Sequence, residues 1–425
     1  MTTALPGLPN EMVLKIWSHV LEPKDVESFA LVSKNIHALG NRFIEEHQRL
    51  KERFSFFSHR EDSWGSPPAD LLATIPLNPR VALYVDEICI DRWKTRWDDP
   101  TTIEPSECHL PYSEDTMRLF EAAVKTSALI PSDSECAEWI SEIRGGDEDN
   151  ILALIMSLLP NMRKFSLKSV TDEGCRLSQM IYRIGKSSVA TALSRLTDVE
   201  IGWDDTDYIA SDFDWVRKIS SLKSVKTIKG RSVGLLEGVP DYCYWLSIPP
   251  KWSNVTSLHL HHCGIDDSNL LSISSVWETS KANAACSLQS LEISSGDGTG
   301  SHMGSLAGLK VLTELSTEYG MLLDYAAESE SDKLTQMLPS SIEKVTLEHN
   351  DRYDIRSLQE HILGMCKLKG DRLPNLKVLT YWINDSNVSI ARPKQETKEL
   401  MEDSELISAL KQRSMEVGVE LDISQ

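Results

Sequence analysis

Apolar residues recur at helical spacing through the first fifty or so positions and at strand spacing beyond about position 80, and the change of period divides the chain. Pro9 suits the first position of a helix whose apolar face is Met12, Val13, Ile16, Val20 and Leu21. Pro23 is expected to end that helix. Asp25 is placed to cap a second, short one with Phe29, Leu31 and Val32 on its apolar side. Ser33 can cap a third, running through Ile36, Leu39, Phe43, Ile44 and Leu50 with charged residues opposite. Three helices of this length make a thin core, so some of their apolar side chains need cover from a partner or from the following domain.

Residues 55–79 lose the helical period and collect Pro67, Pro68, Pro76 and Pro79 with Ser58, Ser63 and Ser66, which predicts a connecting segment, so that 51–79 is a helix extension and linker. Val85, Ile88 and Ile90 then alternate as a strand would. The polar 91–105 stretch reads as a loop in which Trp93 and Trp97 serve as packing anchors.

Beyond it the pattern x-L-x-x-L-x-L, which puts alternate residues of a short parallel strand into a core, is written eight times. The first four are Met162/Phe165/Leu167, Leu196/Val199/Ile201, Leu222/Val225/Thr227 and Val255/Leu258/Leu260. Leu288/Leu291/Ile293, Leu309/Leu312/Glu314, Ile342/Val345/Leu347 and Leu376/Leu379/Tyr381 follow. Steps between middle residues are 34, 26, 33, 33, 21, 33 and 34, long enough for a helix or loop per unit. The third and sixth depart from the pattern, with Thr227 and Glu314 in core slots.

Helical patterns lie between the strands. One spans 151–159 and runs through Pro160-Asn161 into Met162. Another is opened by a Ser132/Glu135 capping box and stopped by Gly145-Gly146. A helix at 404–415 and a strand at 417–423 are expected to close the far end. The fold class expected is therefore α/β, with N-terminal helices followed by an irregular solenoid on a curved parallel sheet. Residues between the core slots would face the concave side in two ladders. The first is Ser166, Glu200, Lys226, His259, Glu292, Thr313, Thr346 and Thr380, and the second Lys168, Gly202, Ile228, His261, Ser294, Leu315, Glu348 and Trp382. Of these, Glu200, Lys226, His259, His261, Glu292, Glu348 and Trp382 are the candidate contacts for a target protein.

Leu8-Pro9-x-Glu11, Ile16, Leu21, Asp25 and Leu31-Val32-Ser33-Lys34 resemble the F-box, with Ile36 where many F-boxes carry Trp. The stretch from Val255 through Leu258 and Leu260 to Cys263 resembles a cysteine-containing leucine-rich repeat, and the proline-punctuated style resembles fungal F-box proteins. The division implied is an F-box at 5–50, a helix extension and linker at 51–79 and repeats at 80–425. Such a resemblance implies docking on the Skp adaptor, and through it on the cullin of an SCF-type ubiquitin ligase. Leu8, Pro9, Ile16, Leu21, Leu31 and Val32 would then be the Skp contacts, and the repeats would hold an unknown target. Two alternatives stay open: a Skp-bound regulator or repeat scaffold with no ubiquitination role, or N-terminal helices that merely close the repeats.

Composition removes other classes. Hydrophobic residues at 41% and charged residues at 25% are globular values. A net charge of −20 without a compensating basic run argues against nucleic acid. The same field would favour basic partners or simply maintain solubility. Apolar runs are too short for a membrane span and the first residues do not read as a secretory signal, so a cytoplasmic or nuclear protein is expected. Eight cysteines without a Cys-x-x-Cys pair predict reduced thiols.

His259 and His261 share a strand face, but zinc needs three or four converging ligands and the sequence fixes no carboxylate beside them, so no metal is expected. The glycine-rich 295–302 loop lacks a full phosphate-binding motif, and Asp204 to Asp207 lacks the rest of a calcium loop. Acidic runs at 146–149 and 328–332 read as solvated loops. Neither a catalytic constellation nor a cofactor is expected.

Overall fold

The structure is a computed structural model. It describes residues 8–59, 67–91, 112–168, 175–202, 211–212, 214–234, 254–263, 287–294, 305–322, 333–349, 355–383 and 404–424. Trp93, Trp97, the 204–207 and 328–332 acidic stretches and the 295–302 loop lie outside these residues. The described residues form two compact units that part between Val199 and Glu200. Helices alternate with strands, and eleven strands share one parallel sheet, so the α/β class is shown.

The first unit opens with helices α1 (Asn10–His19), α2 (Pro23–Ala30), α3 (Lys34–Leu39) and α4 (Asn41–Phe54). Four helices stand where three were expected. Pro23 opens α2 instead of closing α1, because a proline at the first helical position gives up an N–H that has no partner there anyway. Asp25 consequently sits inside the first turn, and Glu22 takes the cap position. Ser33 does cap α3, its hydroxyl accepting the Ile36 N–H at 3.2 Å, but that helix breaks at Gly40.

Trp17 explains the break. It is 1% exposed, its indole N–H donates to the Ile36 carbonyl at 3.1 Å, and its ring meets Phe29 edge-on and stacks on Phe43. Val13, Val26 and Ile36 complete the cluster, with Leu8 packed against it. The ring passes so close to Gly40 that a Cβ there would lie 2.2 Å from Trp17 Cε2.

The segment expected as helix extension and linker holds the end of α4, strand β1 (Phe56–His59) and helix α5 (Pro67–Leu77). Prolines in a first turn do not oppose a helix, and Pro67 and Pro68 stand in the first turn of α5. A short helix α6 (Val81–Tyr84) follows, then strand β2 (Glu87–Ile90). The N-terminal helices are tied to this part of the unit. His47, 5% exposed, shares a 2.9 Å hydrogen bond with the Tyr84 hydroxyl, and Arg80 pairs with Glu46 at 3.2 Å. Asn161 donates to both Glu22 and the Leu83 carbonyl at 2.9 Å.

Helices α7 (Glu114–Thr126), α8 (Asp133–Arg144) and α9 (Glu148–Leu158) lead to β3 (Lys164–Lys168), α10 (Arg176–Lys186) and β4 (Asp198–Gly202). Ser132 caps α8 and Gly146, at φ +89°, follows its end, as expected. The acidic 146–149 run is not a solvated loop: Asp147, Glu148 and Asp149 are all buried. Asp147 caps α9. The Asp149 carboxylate accepts the Cys175 thiol at 2.8 Å and the N–H groups of Arg176 and Leu177, capping α10 from another element. Burial holds Asp149 above the usual carboxylate range, those hydrogen bonds opposing it only in part.

The second unit carries β5 (Ser211–Asp212), β6 (Thr227–Arg231), β7 (Val233–Gly234), β8 (Ser257–His261) and β9 (Ser290–Ile293). It continues with β10 (Glu314–Glu318), β11 (Lys344–His349), β12 (Val378–Ile383) and β13 (Glu420–Ser424). The large sheet runs β1-β2-β3-β4-β6-β8-β9-β10-β11-β12-β13, and β5 and β7 form a separate pair. Neighbours in the sheet thus follow chain order. Leu258, Leu291, Leu315, Val345, Leu379 and Leu421 lie at matched register positions and are all buried.

Two outcomes test this account. Gly40→Ala should weaken the N-terminal helices by about 1–3 kcal/mol through overpacking against Trp17, seen as faster hydrogen exchange of α1 and α3 amides. Burial lowers the His47 pKa from 6.5, so the unfolded chain binds that proton more readily than the folded one. Its contribution to stability is complete above pH 6.5 and lost as pH falls through the lowered folded value. A thermal-stability profile between about pH 5 and 8 should therefore lose part of its acid limb in His47→Gln.

Candidate functional site

Two surfaces hold the residues singled out by the sequence. On the N-terminal helices the interior is filled by Trp17 and its neighbours, which leaves other apolar residues outside. Leu31 is 83% exposed, and Met12, Leu21 and Val32 are each about half exposed. These are four of the ten large hydrophobics exposed among the described residues, so the uncovered apolar surface is concentrated here. Pro9 is exposed as well, whereas Leu8 and Ile16 are half-buried.

The second surface is the face of the sheet opposite the buried register positions. The weak third and sixth patterns are displaced by three residues from where the sequence places them. In β6 the inward residues are Ile228 and Gly230, and in β10 they are Leu315 and Thr317. Ile228 and Leu315, expected to face outward, are buried at 0% and 1% exposure. Lys226 precedes β6, where its carbonyl accepts the N–H groups of Thr256 and Ser257. The residue level with His259 is Lys229, and Arg231 is level with His261. On β10, Ser316 takes the place expected for Thr313, level with Glu292. The inward Val225/Ile228/Gly230 and Leu312/Leu315/Thr317 keep the same spacing as the other strands, with a small or polar residue in the last slot. Gly230 serves there because Leu260 and Val233 occupy the space a side chain would need.

His259 and Glu292 are paired across β8 and β9. Histidine Nδ1 lies 2.6 Å from the Glu292 carboxylate, and Nε2 lies 2.7 Å from the Ser257 hydroxyl. The carboxylate therefore accepts a hydrogen bond from Nδ1–H, and in the neutral ring the hydroxyl donates to Nε2. His261 Nε2 stands 3.8 Å from the other Glu292 oxygen. Burial holds the His261 imidazole below its usual range, Glu292 opposing and His259, His262 and Arg231 adding to the depression. A carboxylate that the sequence did not fix beside the histidines is supplied by the neighbouring strand.

Of the remaining candidates, Glu200 is exposed on β4, and Glu348 is level with Trp382, whose indole is half exposed. The face thus alternates by strand: Lys229 and Arg231, then the two histidines, then Glu292. The overall charge of −20 does not describe this part of the surface. Among the described residues no helix is long and apolar enough to cross a membrane.

Comparison with protein-family models gives no match for this chain, and comparison with curated proteins gives none either.

Arg231 is placed by a close approach of β4 to β6. A Cβ on Gly202 would lie 2.7 Å from the Arg231 carbonyl oxygen and 2.8 Å from its Cβ, both of them held by the strand. Gly202→Ala should cost about 1–3 kcal/mol in urea unfolding. Gly230→Ala should cost less, because the atom it meets first is the movable end of Leu260, at 2.8 Å.

Proposed function

We propose that the chain is a non-catalytic adaptor of the SCF type, whose N-terminal helices act as an F-box docking on Skp, and through it on a cullin, while leucine-rich repeats hold a target protein. One observation carries the reading. The helices complete an internal cluster around Trp17 and still leave Leu21, Leu31 and Val32 in solvent, at positions the F-box resemblance names as Skp contacts. Fully burying a Leu or Val side chain is worth about 1.5–3 kcal/mol, so three such residues give a partner a substantial driving force.

The repeats support the target-holding half through their register. Parallel strands stacked in chain order turn every second residue outward, and on this chain those residues are mixed in charge with one half-exposed tryptophan, the composition of a protein-recognition surface. Its chemistry in this reading is positioning alone. Lys229, Arg231 and Ser316 join His259, His261, Glu292, Glu348 and Trp382 as the contact set, and Lys226 leaves it.

A second reading has one observation in its favour. His47–Tyr84, Arg80–Glu46 and Asn161–Glu22 fasten the helices to the strands and helices that follow, as a cap that closes a repeat stack would be fastened. In that case the chain is a repeat scaffold or regulator.

Retention of purified Skp by the immobilised chain separates the two. The adaptor predicts capture by the native chain and loss of capture by at least about 100-fold in a Leu31→Asp, Val32→Asp double variant, since two half- or fully exposed anchors are lost without touching the Trp17 cluster. Circular dichroism should show that variant folded. No capture by the native chain would leave the cap reading standing.

A further inference from the structure

The geometry points to a divalent transition-metal site on the outward face of the second unit, made by His259, His261 and Glu292. The reading does not depend on Skp docking and concerns a different surface. Its basis is three ligand atoms from two adjacent strands lying within 4.8 Å of one another. Around a tetrahedral ion with bonds of about 2.0–2.2 Å, ligand atoms are about 3.3 Å apart. His259 Nδ1 and His261 Nε2 stand 2.6 and 3.8 Å from the two oxygens of the Glu292 carboxylate, and no pair of ligand atoms is more than 4.8 Å apart, so side-chain rotations that close the widest pair by about 1.5 Å would bring all three residues onto one ion.

The backbone supplies the placement. His259 and His261 are two apart on β8 and so share a face, and the cross-strand pairing sets Glu292 beside His259. Ser257, two residues before His259 on the same face, holds the imidazole nitrogen that the ion would not take. An outer hydrogen bond of this kind fixes ring orientation in metal sites. All three side chains are partly exposed, at 23%, 41% and 38%, which gives an ion access and leaves coordination positions for water or a partner's side chain.

Two imidazoles and one carboxylate select against magnesium and calcium, which prefer all-oxygen shells, and suit zinc or another first-row divalent ion. An ion at His259 Nδ1 requires the neutral ring to carry its proton on Nε2, where the Ser257 hydroxyl turns to accept it, so the ring changes tautomer and no proton is lost. Lys229 and Arg231 stand level with the two histidines on β6 and oppose a cation. The site is therefore driven by its ligands and not by the surrounding field.

The Ser257–His259–Glu292 chain of hydrogen bonds also has the order of a nucleophile, base and acid. Among the described residues, the N–H groups of Thr256 and Ser257 are both donated to the Lys226 carbonyl and so do not serve as an oxyanion hole beside that hydroxyl. Metal binding is the use the observations favour.

Zinc titration of the full chain by calorimetry tests it, with cobalt absorption as a second readout. The expected result is one equivalent bound, weakened by at least about tenfold in His261→Ala and in Glu292→Gln, each removing a direct ligand where loss of an outer partner alone costs 10–100-fold. Arg231→Gln should tighten binding, because it removes an opposing charge, and His37→Ala on the N-terminal helices should leave it unchanged. Zinc bound equally well by Glu292→Gln and His261→Ala would overturn the proposal, as would no zinc bound by the native chain. If a variant unfolds, the native protein decides the matter: a cobalt spectrum identical to that of the aqueous ion also overturns it.

Discussion

Cross-strand register is the constraint on which the rest of this molecule depends. A strand of four to six residues presents two or three apolar side chains to one side and cannot bury them alone. Leu258, Leu291, Leu315, Val345, Leu379 and Leu421 become buried because each meets the next at the same level of the sheet. Side chains alternate along a strand, so fixing this inward row fixes the outward row as well, and a displacement by an odd number of residues exchanges the two faces. That is how Lys229 and Arg231 come to stand beside the histidines while Ile228 is buried.

The N-terminal helices solve the opposite problem, gathering a few apolar residues around one large indole with little material to cover it. Trp17 takes the centre, bonds to the Ile36 carbonyl and presses on Gly40, and the helix after Ser33 breaks where the ring passes. Burial around one indole uses the inner faces of the helices and leaves Leu21, Leu31 and Val32 on the outside. Interior economy and surface apolarity are thus two sides of the same packing, and the apolar surface supports the docking role proposed for these helices.

Charged groups follow the same logic of placement by neighbours. Asp149 is tolerated in the interior because it replaces the missing acceptor at the start of α10, binding two backbone N–H groups and the Cys175 thiol. Glu292 is level with His259 because two strands 33 residues apart in sequence are adjacent in the sheet.

Local signals were sufficient for much of the architecture. The alternation at Val85, Ile88 and Ile90, the caps at Ser33 and Ser132, the Gly145-Gly146 stop and six of the eight repeat strands are all written in short stretches of sequence, because each rests on a period or a cap satisfied by residues within a few positions. Other features required the folded chain. The displaced β6 and β10, the helix break at Gly40, the strand and helix inside the supposed linker, the buried 146–149 run and the His259–His261–Glu292 cluster all depend on partners far away in sequence. Gly230 fills its core slot because Leu260 and Val233 leave no room for a side chain, and Thr317, buried in its own slot, directs its hydroxyl to the Met321 sulfur. A sequence states which residues want to be buried, and only the packing of one element on another decides which of them are and what is left facing outward.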